Sequence, residues 1–362
     1  MRPTVWVCLL AILFEGLSAC APQAQFIDAS TKRDEVGNYV IHWETMPVMN
    51  GKVDIFVSDD PHSFPSDPMI TAPIAHQMVK YIPADQVSRK FFLLVFNQNH
   101  KTVTAVRLPN TDSSINLRDI GGYVTTSGKA VSWGMIARSG ALVDISKKDR
   151  VLLSNLRLRS RVILSESVYG NETHGDLPDV PTLVIPTEVG YNYSEHIQDI
   201  KTGGLSAEGV RQKQQEYFKD LAYKNKAQFS EALHFLLEPA NYPVLISDTF
   251  GKDRVGFFIM LLQSILEVSH NDIIREYTET NHVLSASRLF PDGYKYSSEV
   301  QETLTEFFRC RDTDLNNMIG YLVKRHGSMS KYIAEVLDFG MSKQRQLQCL
   351  LLFNAKLPEM SK

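Results

Sequence analysis

One short segment concentrates the residues that could bind an anion. Between the apolar run Pro243–Ile246 and an apolar segment beginning near Val255 lies Ser-Asp-Thr-Phe-Gly-Lys-Asp-Arg, residues 247–254. A strand, a tight turn and a helix start would point several backbone N–H groups and the positive end of the helix dipole into one small volume. A guanidinium from Arg254 would add two parallel hydrogen bonds to an oxyanion. The segment therefore predicts a binding site for phosphate or a similar anion.

The segment resembles the signature loop of the bacterial tyrosine and lipid phosphatases, His-Cys-x-x-Gly-Lys-Asp-Arg-Thr-Gly. Residues 116–123, Asn-Leu-Arg-Asp-Ile-Gly-Gly-Tyr, are similar to the family's Asn-Phe-Arg-Asp-Leu-Gly-Gly-Tyr, and residues 131–140 resemble the block that follows it. The sequence Arg-His-Gly-Ser at 325–328 also fits. Three blocks in the family's order are specific, whereas a lone Gly-Lys-Asp-Arg would be weak. The resemblance covers nearly all of residues 110–355 and implies the lipoprotein branch of the family.

The resemblance implies roles for individual positions of the loop. The catalytic positions would be Asp248, where the family has its nucleophile, Arg254 as the phosphate-binding arginine, and their neighbours Lys252 and Asp253. Residues 252–254 could equally form an ion-pair network that caps the following helix. The resemblance implies neither a metal nor a cofactor. The residues expected to contact phosphate are Thr249, Phe250, Gly251, Lys252 and Arg254.

The sequence departs from the family pattern where the chemistry is done. Asp248 replaces the cysteine, Ser247 the preceding histidine, Val255 the hydroxyl residue after the arginine, and Leu164 the acid at the end of one strand. Phosphatases of this type need a thiolate, which attacks phosphorus and leaves well. A carboxylate lacks that nucleophilicity. Its charge would also repel a phosphate at about 4 Å by about 4 kcal/mol at intermediate dielectric.

Three functional hypotheses follow. The first is a pseudophosphatase acting in binding or scaffolding, in which Asp248 lies against the loop N–H groups and Arg254 and mimics the thiolate or bound phosphate. The second is an active protein tyrosine or serine phosphatase, a phosphoric monoester hydrolase with Asp248 as a non-standard nucleophile. The third is a surface adhesion or docking protein that acts through its N-terminal part. We favour the first, with a phosphorylated protein or another phosphate-bearing ligand as a weakly bound partner.

The segment that follows the first 24 residues has the pattern of an all-β domain. Residues 25–108 contain short runs rich in β-branched and aromatic residues, separated by Pro, Asn, Gly and Asp. This pattern predicts a small antiparallel sandwich that resembles a fibronectin type III module, with Trp43 as a core residue. The three runs that carry the prediction are residues 39–43, 52–57 and 90–96.

The rest of the chain, residues 110–358, has a different period. Short apolar strands alternate with helical patterns, which predicts an α/β domain with a mainly parallel sheet, and from Ser297 onward the pattern is almost entirely helical. Gly327 and Gly340 are expected to end helices. This is the cysteine-phosphatase-like domain that the resemblance implies. The predicted strands include Ala130–Ile136, Arg161–Leu164, Thr182–Ile185 and Pro243–Ile246.

The first twenty residues have the pattern of an export signal. Arg2 precedes an apolar stretch, and residues 17–20, Leu-Ser-Ala-Cys, resemble a bacterial lipobox. The resemblance implies that Cys20 becomes the lipid-bearing first residue of an exported protein, anchored to a membrane at the bacterial cell envelope. The apolar stretch is too short to span a bilayer, which takes about 20 residues.

Composition restricts the remaining possibilities. The net charge of −3 and the lack of long runs of like charge argue against a nucleic-acid partner. Histidines are scattered without metal-ligand spacing. Cys310 and Cys349 could form one disulfide, although two small buried side chains are the simpler interpretation. Neither cysteine can serve as the nucleophile, because no arginine lies six residues after it.

Overall fold

A computed structural model gives the fold of residues 26–86, 88–107, 111–112, 116–166, 175, 177, 179–187, 192–284 and 286–354. The predicted signal segment, residues 1–20 with Cys20, lies outside the described residues. In the ranges given, no helix combines the length and apolar character that a membrane span requires.

The N-terminal part is all-β, as predicted. Its strands are β1 (Phe26–Arg33), β2 (Tyr39–Met46), β3 (Lys52–Ser58), β4 (Ile70–Pro73), β5 (Met78–Tyr81), β6 (Phe91–Phe96) and β7 (His100–Ala105). They form two antiparallel sheets, with strand orders β1-β2-β5 and β4-β3-β6-β7. Apolar side chains of both sheets share one core. We refer to this part as the sandwich; its likeness to a fibronectin type III module stays a prediction, as do the domain boundaries.

Trp43 is buried in the core of the sandwich. Its indole Nε1 donates a hydrogen bond to the carbonyl oxygen of Ile74 at 2.8 Å, and its ring meets Phe96 edge-on at 6.3 Å between centroids. An indole fills the space between the sheets only if its N–H finds an acceptor, which Ile74 supplies. The residue is a structural anchor, as its place in the strand pattern predicts.

The C-terminal part is an α/β domain. A five-stranded sheet has the order β12-β11-β13-β10-β8, in which all neighbours are parallel except β10 and β8. The predicted fold class, a mainly parallel sheet followed by a helical part, is confirmed. The strands are β8 (Arg118–Asp119), β9 (Lys129–Val131), β10 (Ile136–Ser139), β11 (Ser160–Glu166), β12 (Thr182–Thr187), β13 (Val244–Ser247) and β14 (Leu352–Asn354).

Helices cover the sheet and form the end of the chain. They are α1 (Lys147–Asn155), α2 (Tyr193–Lys201), α3 (Ala207–Lys224), α4 (Lys226–Phe235), α5 (Arg254–Ile265), α6 (His270–Thr278), α7 (Thr280–Val283), α8 (Ala286–Leu289), α9 (Ser298–Phe308), α10 (Asp312–His326), α11 (Met329–Glu335) and α12 (Met341–Leu351). The sequence of α5 is apolar around its whole circumference, which is typical of a helix buried on all sides. It lies at the centre of the domain, in contact with α3, α6, α11 and α12.

Two local predictions are wrong. The segment Ala130–Ile136 is not one strand, because Gly134 has a φ of +73° and turns the chain between β9 and β10. Gly340 does not end a helix but precedes the first turn of α12. Gly327, by contrast, ends α10 with a φ of +86°, as predicted. A glycine marks a change of direction, but only the packing decides which element it ends.

A buried ion triad joins the sheet to α6. The carboxylate of Glu276 accepts hydrogen bonds from Arg118 Nε at 2.8 Å and from Arg138 Nη1 at 2.7 Å, and all three side chains are almost completely buried. Arg118 Nη2 also donates to the Glu276 carbonyl oxygen at 2.9 Å. Burial disfavours the charged carboxylate, but the two guanidinium groups outweigh this effect and hold the pKa of Glu276 below its ordinary value.

Glu276→Gln should destabilise the fold, because it leaves two buried guanidinium groups without a countercharge. Breaking such a pair costs about 3–5 kcal/mol of unfolding free energy. Since the folded-state pKa is lowered, the carboxylate stabilises the fold above its unfolded pKa and loses this effect as pH falls. We therefore expect the stability difference to shrink below the ordinary pKa of 4.5. Urea denaturation as a function of pH measures it, with Glu302→Gln on the exposed face of α9 as control. Equal stability of both variants at neutral pH would contradict it.

Candidate active site

The segment singled out by its sequence lies at the centre of the parallel sheet. Strand β13 pairs with β10 on one side and with β11 on the other. Residues 248–253, which we call the anion loop, connect the end of β13 to Arg254, the first residue of α5. In open α/β sheets ligands bind beyond the carboxyl ends of the strands. The anion loop occupies that position.

The carboxylate of Asp248 fills the interior of the anion loop. Its Oδ1 accepts hydrogen bonds from the backbone N–H of Phe250 at 3.0 Å and from that of Gly251. Its Oδ2 accepts from the N–H of Val255 at 2.9 Å and lies 3.9 Å from Nε of Arg254. The side chain is completely buried. The backbone donors that such a loop offers to an oxyanion therefore point at a side chain of the same loop.

Two glycines allow the anion loop to approach the end of β10. Gly251 has a φ of +65°, and a Cβ atom there would lie 2.6 Å from the backbone nitrogen of Gly140. A Cβ atom on Gly140 would in turn lie 3.0 Å from the carbonyl carbon of Phe250. No larger side chain fits at Gly251 without moving backbone, so the residue that gives the loop its shape is fixed sterically.

Side chains from the other two family-like segments hold the back of the anion loop. Asn116 Nδ2 donates to the carbonyl oxygen of Gly251 at 2.6 Å, and Arg138 Nη2 donates to the same oxygen. Arg118 Nη1 donates to Asn116 Oδ1 and so orients this amide. The buried ion triad centred on Glu276 thus continues into the anion loop and connects the three segments.

Lys252 and Asp253 face each other in a second buried network. Lys252 Nζ and Gln214 Nε2 both donate to Asp253 Oδ1 at 2.7 Å, and the hydroxyl of Tyr193 donates to Oδ2 at 2.7 Å. Burial disfavours the Lys252 cation, but the Asp253 carboxylate outweighs burial and raises the pKa of the amine. Burial and the same carboxylate raise the pKa of the Tyr193 hydroxyl well above its ordinary value, which keeps its proton on this hydrogen bond. The ion-pair alternative describes these two side chains better than contact with phosphate does.

The rest of the anion loop is more open. Thr249 and Phe250 are half-buried, and Arg254 Nη2 donates to Thr249 Oγ1 at 2.9 Å. The ring of Phe250 meets Tyr193 at 4.9 Å and Phe308 at 5.2 Å, both edge-on. Aromatic rings and a threonine hydroxyl therefore lie next to this part of the loop.

The other three positions at which we expect a departure from the family pattern, Ser247, Leu164 and Val255, hold buried side chains. Ser247 Oγ accepts a hydrogen bond from Arg161 Nε at 3.2 Å. Leu164 lies in the main apolar core of the domain, and Val255 packs in the same core while its N–H binds Asp248. Neither apolar side chain can donate or accept a proton, so these positions contribute no general acid and no hydroxyl.

The two described cysteines do not form the disulfide considered above. Cys310 is buried, as expected, and burial raises the pKa of its thiol to about 11. Cys349 is exposed rather than buried, because it lies on the outer face of α12. Burial disfavours the Cys310 thiolate, so this residue has the character of an inert thiol.

Sequence reasoning did not find three residues that hold the site: Glu276, Tyr193 and Gln214. Each lies in a helix, without a motif around it, and is distant in sequence from its partner; Glu276 is 158 residues from Arg118. The only sequence signal for each of them is a polar or charged residue among the apolar residues of its helix. That signal can be recognised only once it is known which face of the helix is buried. Within the described residues, no group of histidine, cysteine and carboxylate side chains could hold a metal ion.

Comparison with known proteins assigns the family. A sequence comparison with curated proteins finds no significant match. Two solved structures match part of this chain: the core catalytic domain of the PP-IP phosphatase SIW14 from S. cerevisiae in complex with citrate, and the Siw14 catalytic core. They are 18% and 17% identical to this chain, cover 51% of it and 86% and 88% of their own lengths, with TM-scores of 0.26 and 0.27. TM-scores this low do not establish a shared fold. The family model described as the tyrosine phosphatase family, however, matches residues 109–353, well over half of the chain, and the protein therefore belongs to the tyrosine phosphatase family.

Proposed function

We propose that this member of the tyrosine phosphatase family is a catalytically inactive pseudophosphatase that acts in binding or scaffolding. One observation carries the proposal: the Asp248 carboxylate accepts hydrogen bonds from three backbone N–H groups, those of Phe250 and Gly251 in the anion loop and that of Val255 in the first turn of α5. The loop is thus an anion site occupied by its own side chain. The family suggests phosphorylated ligands; here they would bind weakly.

Electrostatics and geometry act together against a bound phosphate. A phosphate oxygen would have to displace the carboxylate from the N–H groups of Phe250, Gly251 and Val255. It would also meet a negative charge, and like charges about 4 Å apart repel by about 4 kcal/mol at an effective dielectric of about 20. Arg254 lies 3.9 Å from the Asp248 carboxylate and reduces that repulsion without removing it.

The groups that a phosphatase of this family needs are replaced or occupied. The nucleophile position holds a carboxylate, and the acid position holds Leu164 in the apolar core. The amine of Lys252 binds Asp253, and Asp253 in turn holds Tyr193 and Gln214. These contacts support structural rather than catalytic roles for Lys252 and Asp253, while Arg254 keeps the position of the phosphate-binding arginine.

The geometry disfavours an aspartyl-phosphate route. Both oxygens of Asp248 accept hydrogen bonds from backbone N–H groups, which lower the electron density that a nucleophile would use. Enzymes with aspartate nucleophiles usually bring further carboxylates that hold magnesium. The nearest carboxylate in the anion loop, Asp253, is directed into its own buried network instead.

The cellular location of the protein belongs to the same proposal. The lipobox-like residues 17–20 suggest attachment through Cys20 to the bacterial cell envelope, where an inactive phosphatase domain could present a ligand or partner site. A test is metabolic labelling with a fatty acid, which Cys20→Ala should abolish.

The purified protein should not hydrolyse a generic aryl phosphate at any value across about pH 5 to 8, the range in which a general acid and base would titrate. The reason is that Asp248 stands at the nucleophile position and Leu164 at the position of the acid. The measurement is phosphate release, with Arg254→Ala as matched control. Turnover that Arg254→Ala abolishes would overturn the proposal, whereas turnover equal in both proteins indicates a contaminating phosphatase.

Asp248→Ala should bind sulfate or phosphate at least about tenfold more tightly than the unsubstituted protein. Recovering about 1.4 kcal/mol of the roughly 4 kcal/mol repulsion is enough for this change. Calorimetric titration with inorganic phosphate measures it, and Asp292→Ala, which removes an exposed carboxylate, is the control. An unchanged affinity in Asp248→Ala would contradict occupation of the loop by the carboxylate.

Asp248→Cys should place a thiol of lowered pKa in the anion loop. The N–H groups of Phe250, Gly251 and Val255 stabilise an anion at this position, so its pKa should lie at least about one unit below the ordinary value of about 8.5. Alkylation rates measured against pH by peptide mass spectrometry test this. Exposed Cys349 and buried Cys310, whose pKa is raised to about 11, are internal references. An introduced thiol with the ordinary pKa of about 8.5 would refute anion stabilisation by the loop.

A further inference from the structure

Strand β8 is the point where the sandwich and the anion loop are joined. It consists of only two residues, Arg118 and Asp119, and both are buried. Successive side chains of a strand point to opposite faces. Arg118 binds Glu276 on the side of the anion loop, and Asp119 binds Arg89 of the sandwich on the other side.

The Asp119 carboxylate fixes the sandwich to the α/β domain. Its Oδ2 accepts from Arg89 Nη1 at 2.8 Å and from the N–H of Gly134 at 2.8 Å, and its Oδ1 accepts from the N–H of Gly121 at 2.7 Å. Arg107 Nη1 donates to the carbonyl oxygens of Asp119 and Gly121 at 3.0 and 2.6 Å. Two arginines at the end of the sandwich therefore bind the strand and the turn that follows it.

Trp133 adds an apolar contact to this junction. It is buried against Phe91 and Ala105 of the sandwich, and its Nε1 donates to the carbonyl oxygen of Val103 at 2.8 Å. The guanidinium of Arg89 lies over the Phe91 ring, 4.6 Å from its centroid. The junction thus has an apolar centre beside charge-assisted hydrogen bonds, which is the composition of a stable interface rather than of a loose linker.

On the opposite face of β8, two successive hydrogen bonds connect Arg118 to the anion loop. Arg118 donates to Asn116 Oδ1, and Asn116 Nδ2 donates to the Gly251 carbonyl oxygen at 2.6 Å. Arg118 also shares Glu276 with Arg138, which donates to the same carbonyl oxygen. A shift of β8 along its axis would move Asn116 and Arg118 together and would release Gly251, whose N–H binds Asp248.

We propose that the sandwich is a positioning domain for the anion loop and that Arg89 is the positioning residue. By holding Asp119, Arg89 holds β8 in the place from which Asn116 and Arg118 fix the shape of the loop. The functional meaning of this coupling rests on the proposed anion site, because it is that site which the sandwich keeps in shape. A detachable adhesion module would not need such a connection.

Amide hydrogen exchange of the full chain tests the proposal without any ligand. In Arg89→Ala we expect amides of peptides covering residues 248–256 to exchange about tenfold faster, since a lost charge-assisted hydrogen bond loosens β8. In the same variant, amides of β3 and β6 should keep their protection from exchange. Arg89→Lys should exchange more slowly than Arg89→Ala in residues 248–256, because its cation restores most of the protection of the loop. The control is Lys80→Ala, which removes an exposed ion pair with Asp34 from the same sandwich.

The outcomes separate this proposal from the proposed function. Loop exchange equal to that of Lys80→Ala, or an equal increase in β3 and β6, would overturn the role of Arg89. In the Asp248→Ala background, Arg89→Ala should also weaken phosphate binding by several fold, and an unchanged affinity would overturn it too. If Asp248→Ala alone binds no phosphate, the proposed anion site is wrong, while hydrogen exchange still decides whether the sandwich positions the loop.

Discussion

The hydrogen bonds between the Asp248 carboxylate and the N–H groups around it are the interaction on which the rest of the site depends. A completely buried carboxylate is tolerated only if its charge is met by donors, and here the backbone N–H groups of Phe250, Gly251 and Val255 meet it. Leaving these buried N–H groups without an acceptor would also destabilise the fold, because each would lose its hydrogen bonds to water without replacement. The Asp248 carboxylate satisfies both requirements at once, and the loop keeps its shape around it.

The loop keeps its shape because other buried charges are also paired. Glu276 is the shared ion-pair partner of Arg118 and Arg138, and Asp253 is the ion-pair partner of Lys252. Each of the two groups fixes a different part of the loop. In a low-dielectric interior, removal of one partner leaves an uncompensated charge, so such networks tolerate few single changes.

The sandwich is part of this arrangement rather than an appendage. It contacts Asp119 through the guanidinium of Arg89 and packs against Trp133 through apolar side chains. The two residues of β8, Arg118 and Asp119, connect these contacts to the loop. Deleting residues 25–108 would therefore expose Trp133 and leave Asp119 without Arg89, which would alter the α/β domain as well. The sandwich and the loop are thus connected physically, and single substitutions at the junction test this connection better than truncation does.

The sequence by itself determined the features that depend on near neighbours: the strand–loop–helix order around residues 247–256, the β-rich and α/β halves, and the helix end at Gly327. It missed or misplaced what depends on contacts between distant segments. Glu276, Tyr193 and Gln214 have no motif, Trp133 lies in a turn at the junction instead of within a strand, and Gly340 begins a helix. Local periodicity and turn chemistry are encoded within a few residues, whereas the pairing of a buried charge is decided only when the packed chain brings its partner to hydrogen-bonding distance.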